Sequence, residues 1–115
     1  MVNNQRRITA VFAALADPTR RRILTRLSKQ GEEAVTELAK PFRVSLPAVS
    51  RHLRVLERAH LIDRRKQGRI HVIRARPKGL KPAESWMKAY AAGWEHSFDT
   101  LDQLLQAELG KDNQE

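Results

Sequence analysis

The chain has 115 residues, 41% of them hydrophobic, with 22 Lys/Arg against 13 Asp/Glu and no cysteine. That length sustains one compact domain and leaves no room for two comfortable ones; the missing thiols exclude disulfides, thiolate metal sites and a zinc finger built from scattered histidines. The net charge of +9 is concentrated, because Arg43 to Lys81 holds twelve bases against Glu57 and Asp63, a net of +10, while the rest has ten bases and eleven acids, a net of −1. Such a one-sided patch attracts a polyanion and makes association salt-dependent, so double-stranded DNA is the expected partner.

At the N-terminus, Arg6-Arg7 and the run Ile8 to Ala16 imitate a short signal peptide with a cleavage site at Ala14-Leu15-Ala16. Ile8, Val11, Phe12 and Leu15 nevertheless fall at i, i+3, i+4 and i+7, the buried stripe of a helix from about Gln5 to Ala16. Asp17 as N-cap and Pro18 at the first helical position start a second helix, with Ile23, Leu24 and Leu27 inward. Its Arg20, Arg21, Arg22 and Arg26 are expected on the surface or snorkelling, with Arg20 pairing an acid. This helix ends around Gln30-Gly31, and Val35 to Ala39 makes a short helix that Pro41 terminates.

Ser45 caps a further helix to about Ala59, with Pro47 tolerated in its first turn. Leu46, Val49, Leu53 and Leu56 share one face, while Pro47, Arg51, Arg54 and Arg58 occupy the opposite one. Short helix, connection and basic helix make a helix-turn-helix plan, whose second helix enters the major groove by its N-terminal end. Leu61 to Lys66 and Arg69 to Ala75 read as strands joined by Gln67-Gly68. The resulting hairpin carries Arg64, Arg65, Lys66 and Arg69 at its tip, suited to a wing on DNA phosphates or the minor groove. Beyond Pro77, Gly79 and Pro82, a last helix from about Ala83 to Leu109 spaces Trp86, Tyr90, Trp94, Phe98, Leu101 and Leu105 by three or four residues. A domain this small covers only part of such a stripe, so a homodimer interface is expected there. The polar remainder, 110–115, is expected to be a disordered tail outside a single domain of 1–109.

The segments Ala16-Asp17-Pro18-Thr19-Arg20-Arg21-Arg22-Ile23-Leu24 and Leu46-Pro47-Ala48-Val49-Ser50-Arg51-His52-Leu53-Arg54-Val55-Leu56-Glu57, with the Gly68-Arg69 wing turn, closely resemble the ArsR-type winged helix-turn-helix repressors. The resemblance spans about residues 5 to 105. It implies a mostly α fold with a small β-hairpin, in the order α-α-α-α-β-β-α, dimerised through the first and last helices. It also implies repression at an imperfect palindromic operator, and the protein's own operon is the expected target. On that basis Ser45, Leu46, Pro47, Ser50, Arg51, His52 and Arg54 are the expected groove-reading set, Arg64, Arg65, Lys66 and Arg69 the wing set, and Ile8, Val11 and Phe12 join the last-helix stripe in the dimer. Leu46 and Pro47 either touch thymine methyls or merely begin the helix. Arg51 is the leading base reader, since a guanidinium grips guanine O6 and N7 together.

The pattern of Trp86 and Trp94 looks like the branch often encoded beside START-like lipid-binding or Aha1-type proteins. Two departures bear on mechanism. Metal-sensing members carry cysteines before the recognition helix or Asp/His sets in the last one; here Val35 to Phe42 has neither Cys nor His, and Glu95, His96 and Asp99 offer one imidazole. No metal or cofactor is expected, and release would fall to an unidentified small molecule, a partner protein or no effector. The family also commonly has Gly where this chain has His60, which either takes a left-handed conformation or ends the helix differently.

No catalytic motif, phosphate-cradling glycine loop or metal cluster appears, so an enzyme is not expected. No apolar run reaches the ~18 residues of a membrane span, and a cytoplasmic location is expected. The alternatives are a protein-interaction module using the last-helix stripe and a nonspecific nucleic-acid binder.

Overall fold

Local signals set the helix boundaries in the computed structural model, which describes residues 2–113. Helix α1 spans Val2–Leu15 and α2 spans Pro18–Gln30. Between them, the Asp17 carboxylate accepts the Arg20 backbone N–H at 3.0 Å, and Pro18 opens α2 with a φ already suited to a helix. Gly31, at φ +86°, stops α2 while donating its N–H to the Leu27 carbonyl at 2.8 Å. After strand β1 (Glu32–Ala34) and the short helix α3 (Val35–Ala39), helix α4 runs over Leu46–Arg58. Ser45 Oγ caps α4 by accepting the Ala48 N–H at 3.3 Å. Strands β2 (Ile62–Gln67) and β3 (Ile70–Ala75) form the hairpin, and a 3₁₀ turn (Pro77–Leu80) leads into helix α5 (Lys81–Asn113).

The architecture is the mostly helical winged helix-turn-helix implied by the resemblance, with an additional strand. Glu-Glu-Ala has no intrinsic β preference, yet β1 pairs antiparallel with β3 (Glu32 opposite Arg74, Ala34 opposite Val72), giving a three-stranded sheet in the order β1-β3-β2. The wing turn is the Gly68-Arg69 of the family resemblance and not the Gln67-Gly68 of the strand pattern. Gln67 pairs with Ile70, so the two loop residues are Gly68 and Arg69, with Gly68 at φ +62°. A two-residue hairpin with glycine first needs that positive φ at its first loop position, which fixes the register. The expected helix limits shift as well: α1 begins by Val2, and α5 runs from Lys81 through Gly110 to Asn113 instead of ending at Leu109. One helical glycine costs only about 1 kcal/mol, too little to stop a helix this long. Gln114 and Glu115, the end of the expected tail, lie outside the described residues.

By packing, the chain divides into two compact units, Met1–Ala83 and Glu84–Glu115. The core of the first gathers Val11 and Ala14 from α1, Ile23 and Leu27 from α2, Leu38 from α3, Val49, Leu53 and Leu56 from α4, and Leu61, Ile62 and Ile73 from the wing region. The second unit is the remainder of α5. Among the described residues no helix is long and apolar enough to cross a membrane.

The end of α4 resolves the question posed by His60, which adopts φ +61°. Its N–H donates to the Glu57 carbonyl and the Leu61 N–H to the Leu56 carbonyl, both at 3.0 Å. Those two bonds make a Schellman ending, a position that favours glycine, and the buried Leu56 and Leu61 supply its apolar contact. Gly79 passes over this turn so closely that a Cβ there would lie 1.9 Å from the His60 carbonyl oxygen. Relieving the left-handed strain by His60→Gly is expected to raise unfolding free energy by about 1 kcal/mol. Gly79→Ala is expected to lower it by at least ~1–3 kcal/mol through overpacking. Urea denaturation checks both; an unchanged Gly79→Ala midpoint would contradict the close approach.

Candidate nucleic-acid interface

Helix α4 is two-faced. Val49, Leu53 and Leu56 are fully buried, and each such burial stabilises by roughly 1.5–3 kcal/mol, so the rotation of the helix about its axis is fixed. The opposite face then has to point outward. Ser45, Leu46, Pro47, Arg51 and Arg54 are exposed, whereas Ser50 and His52 are half-buried at its margins. Leu46 belongs with the presented residues, 49% exposed, and not with the inward stripe in which its spacing placed it. At N1, just past the cap, it precedes the stretch of helix that the core grips.

The four wing cations divide into two kinds. Arg64 donates to Glu57 of α4 at 3.1 Å and is half-buried, so its guanidinium pins the wing to α4 instead of standing at the tip. Arg65 donates to Glu32 of β1 at 3.1 Å in an exposed pair. Lys66, just before the turn, and Arg69, within it, are exposed, and with Arg51 and Arg54 on α4 they have no acidic partner among the described residues. An exposed ion pair contributes little, about 0–1 kcal/mol, so Arg65 can exchange Glu32 for a phosphate at small cost.

Arg22 and Lys29 of α2 are exposed, as expected of surface charges, whereas Arg20, Arg21 and Arg26 hold elements together. The Arg20 guanidinium donates to the carbonyls of Ala14 (2.8 Å) and Ala13 (3.0 Å), and Nη1 also donates to His52 Nδ1 of α4 at 3.3 Å. Arg21 donates to the Leu15 carbonyl at 2.7 Å. Together they satisfy the last carbonyls of α1, where cations also oppose the helix dipole. Arg26 forms a two-pronged pair with Glu33, through Nε at 2.8 Å and Nη2 at 2.5 Å, clamping β1 to α2. Hydrogen bonding to Glu33 raises the pKa of Arg26. Arg20 and Glu57 were not marked as site residues by the sequence; the only hint is a cation placed just beyond an α1 helix that needs C-terminal partners.

The residues expected at a dimer contact also separate. Ile8 and Val11 are buried in the first unit's own core, whereas Phe12 is 37% exposed. A helix flank that packs against α2 and α4 cannot present the same side chains outward. Along α5, Trp86, Tyr90, Trp94, Phe98, Leu101 and Leu105 are all exposed. Their rings form a ladder: Trp86 stacks on Tyr90 at 5.2 Å, Tyr90 meets Trp94 edge-on at 5.9 Å, and Trp94 tilts over Phe98 at 5.6 Å.

The N-cap at Asp17 has a pH signature. Accepting the Arg20 backbone N–H lowers the Asp17 pKa below its ordinary value near 3.8, against desolvation and with help from the Arg20 charge. A depressed folded-state pKa contributes stability that is present above the unfolded value and lost as pH falls through the folded one. Asp17→Asn is therefore expected to flatten the stability loss below about pH 4. Asp17→Ala should cost about 1 kcal/mol at neutral pH. Thermal unfolding across pH 2.5 to 7, as an approximate window, checks both, and identical acid limbs for wild type and Asp17→Asn would remove this assignment.

A helix-turn-helix domain model matches residues 15–65, which contain α2, α3, α4 and most of β2. The HTH-type transcriptional regulator Rv2034 of Mycobacterium tuberculosis is 40% identical over 97 residues, 84% of this chain and 87% of that protein. The crystal structure of an ArsR family transcriptional regulator, RHA00566, superposes with a TM-score of 0.74 at 38% identity, covering 79% of this chain and 93% of that one. A solution structure of the homodimeric winged helix-turn-helix DNA-binding domain of Mb0332 from Mycobacterium bovis, a possible ArsR-family regulator, gives a TM-score of 0.59 at 28% identity over 80% of this chain and 82% of its own. With a buried-faced α4, a basic wing and these relatives together, the chain belongs to the ArsR family of winged helix-turn-helix DNA-binding transcriptional regulators.

Proposed function

We propose that residues 1–109 act as one DNA-binding and dimerisation domain, and that two copies repress transcription by occupying an imperfect palindromic operator. The observation that carries this reading is the sorting of the cations. Arg20, Arg26 and Arg64 are committed to internal bonds, whereas Arg51, Arg54, Lys66 and Arg69 remain exposed without an acidic partner among the described residues. Unpaired cations gathered on one helix face and the neighbouring hairpin tip form a surface that attracts a polyanion.

In this account Ser45, Leu46, Pro47, Ser50, Arg51 and Arg54 meet the major groove, with Arg51 gripping a guanine edge and His52 meeting the backbone. Lys66 and Arg69, joined by Arg65, hold phosphates beside it, adding affinity without sequence information. The second copy comes through α5, whose aromatic ladder is too large to stay in water cheaply; the homodimeric domain from Mycobacterium bovis supports this. A dyad through such a dimer sets two α4 helices about 34 Å apart, one turn of DNA, and the bound pair blocks polymerase sterically. The protein works in the cytoplasm, where the promoter is. An effector that releases it acts only through unequal affinity for the bound and free states.

Arg51→Ala is expected to weaken operator binding by ~1–3 kcal/mol and to relax preference at one base pair of each half-site. Lys66→Ala should weaken all sequences alike and lower the salt slope by about one. Competition binding against single-base operator variants separates the two; retained preference in Arg51→Ala would withdraw its base-reading role. Trp94→Ala is expected to raise the dimer dissociation constant at least ~10-fold, since truncating a buried aromatic costs more than 1.4 kcal/mol. Sedimentation equilibrium measures it, and an unaltered constant would move the dimer contact off the α5 ladder.

A further inference from the structure

The bond between Arg20 and His52 joins a residue that stands behind the interface to one on its margin. Arg20 Nη1 lies 3.3 Å from His52 Nδ1, and the same guanidinium is held by the Ala13 and Ala14 carbonyls through its other nitrogens. A guanidinium has donors and no acceptor, so the imidazole nitrogen facing it must carry the lone pair. A neutral histidine with its lone pair on Nδ1 bears its proton on Nε2. Asp17 Oδ2, 3.9 Å from Nδ1, is beyond hydrogen-bond reach and leaves that choice to Arg20.

We propose that Arg20 is a positioning residue for DNA binding: by donating to His52 Nδ1 it locks the ring in the Nε2–H tautomer, so that α4 offers the DNA a hydrogen-bond donor. The tautomer matters because phosphate oxygens only accept; an Nε2 lone pair turned toward the backbone would repel it. The cation therefore strengthens the complex without touching DNA, by fixing which nitrogen of a neutral imidazole is protonated. Since the Arg20 guanidinium is anchored on α1, it also holds the His52 ring in one orientation relative to the helix pair behind it. This inference rests on the reading that His52 meets the DNA backbone.

Long-range proton–nitrogen NMR on the ¹⁵N-labelled full chain reads the tautomer directly, at a pH of about 8. The expected result is Nε2 protonated in wild type and a mixed tautomer in Arg20→Gln. An operator selected from a random duplex library then tests the consequence with two substitutions. In His52→Asn, Oδ1 replaces Nδ1 and keeps the Arg20 bond but lacks the outward donor; in His52→Gln, the terminal amide restores a donor near the Nε2 position. Affinity is expected to fall about tenfold in His52→Asn, the effect of one hydrogen bond to a charged group, and to recover largely in His52→Gln. A purely structural histidine would give the reverse order and overturn the proposal. A wild-type Nδ1–H tautomer, or a pure Nε2–H tautomer persisting in Arg20→Gln, would overturn it at the protein's own hydrogen bond. An Nε2–H wild type with His52→Asn binding at full affinity would instead overturn it by removing the DNA contact. Should Arg20→Gln fail to fold, the wild-type tautomer and the two His52 variants still decide.

Discussion

Burial of one face of α4 is the constraint on which the rest of the molecule depends. Val49, Leu53 and Leu56 are removed from water against the core built on Ile23, Leu27, Leu38, Ile62 and Ile73, and a helix anchored at three such points has no freedom to rotate. Its polar face is presented as a consequence. The neighbouring elements are then referenced to that helix: the wing through Arg64 and Glu57, the α1–α2 corner through Arg20 and His52, and the following strand through the Schellman ending at His60 and Leu61. Cohesion comes from apolar area, and the polar bonds fix orientation.

That division explains how a chain of such one-sided charge folds at all. Twelve bases between Arg43 and Lys81 repel one another, but the acids inside and beside the stretch are placed where they work hardest: Glu57 on Arg64, Asp63 beside Arg74 at 3.6 Å, and Glu32 on Arg65. Each exposed pair contributes little by itself. Their effect is spatial, because they quench charge at the root and flank of the wing and leave it unquenched at the tip and on α4. The potential is thereby focused on one surface, which favours oriented approach to a polyanion.

Much of this was legible in the sequence because the signals are local. Ser45 and Pro47 mark the start of α4, the 3.6-residue period assigns Val49, Leu53 and Leu56 inward and Arg51 and Arg54 outward, and Asp17-Pro18 marks the start of α2. What the sequence hid depends on partners distant in the chain. Strand β1 exists because β3 pairs with it and Arg26 clamps Glu33, neither of which leaves a trace in Glu-Glu-Ala. Arg20 reads as a surface charge until the angle between α1 and α2 brings two carbonyls and an imidazole within its reach. Ile8 and Val11 carry the same apolar periodicity whether they face a core or a second subunit, so periodicity alone could not assign them. The wing register hinged on one φ angle, at Gly68.

The central claim is that the surface built by α4 and the wing reads a particular DNA sequence. Titrating the protein against labelled duplex from the region upstream of its own coding sequence, with excess unrelated duplex and at two salt concentrations, tests it most directly. Saturable binding that survives competitor is expected, with an affinity falling steeply as salt rises because phosphates contribute alongside base contacts. Binding that unrelated duplex abolishes at both salt concentrations, for this region and for any duplex selected from a random library, would contradict it and leave only a nonspecific grip on the phosphate backbone.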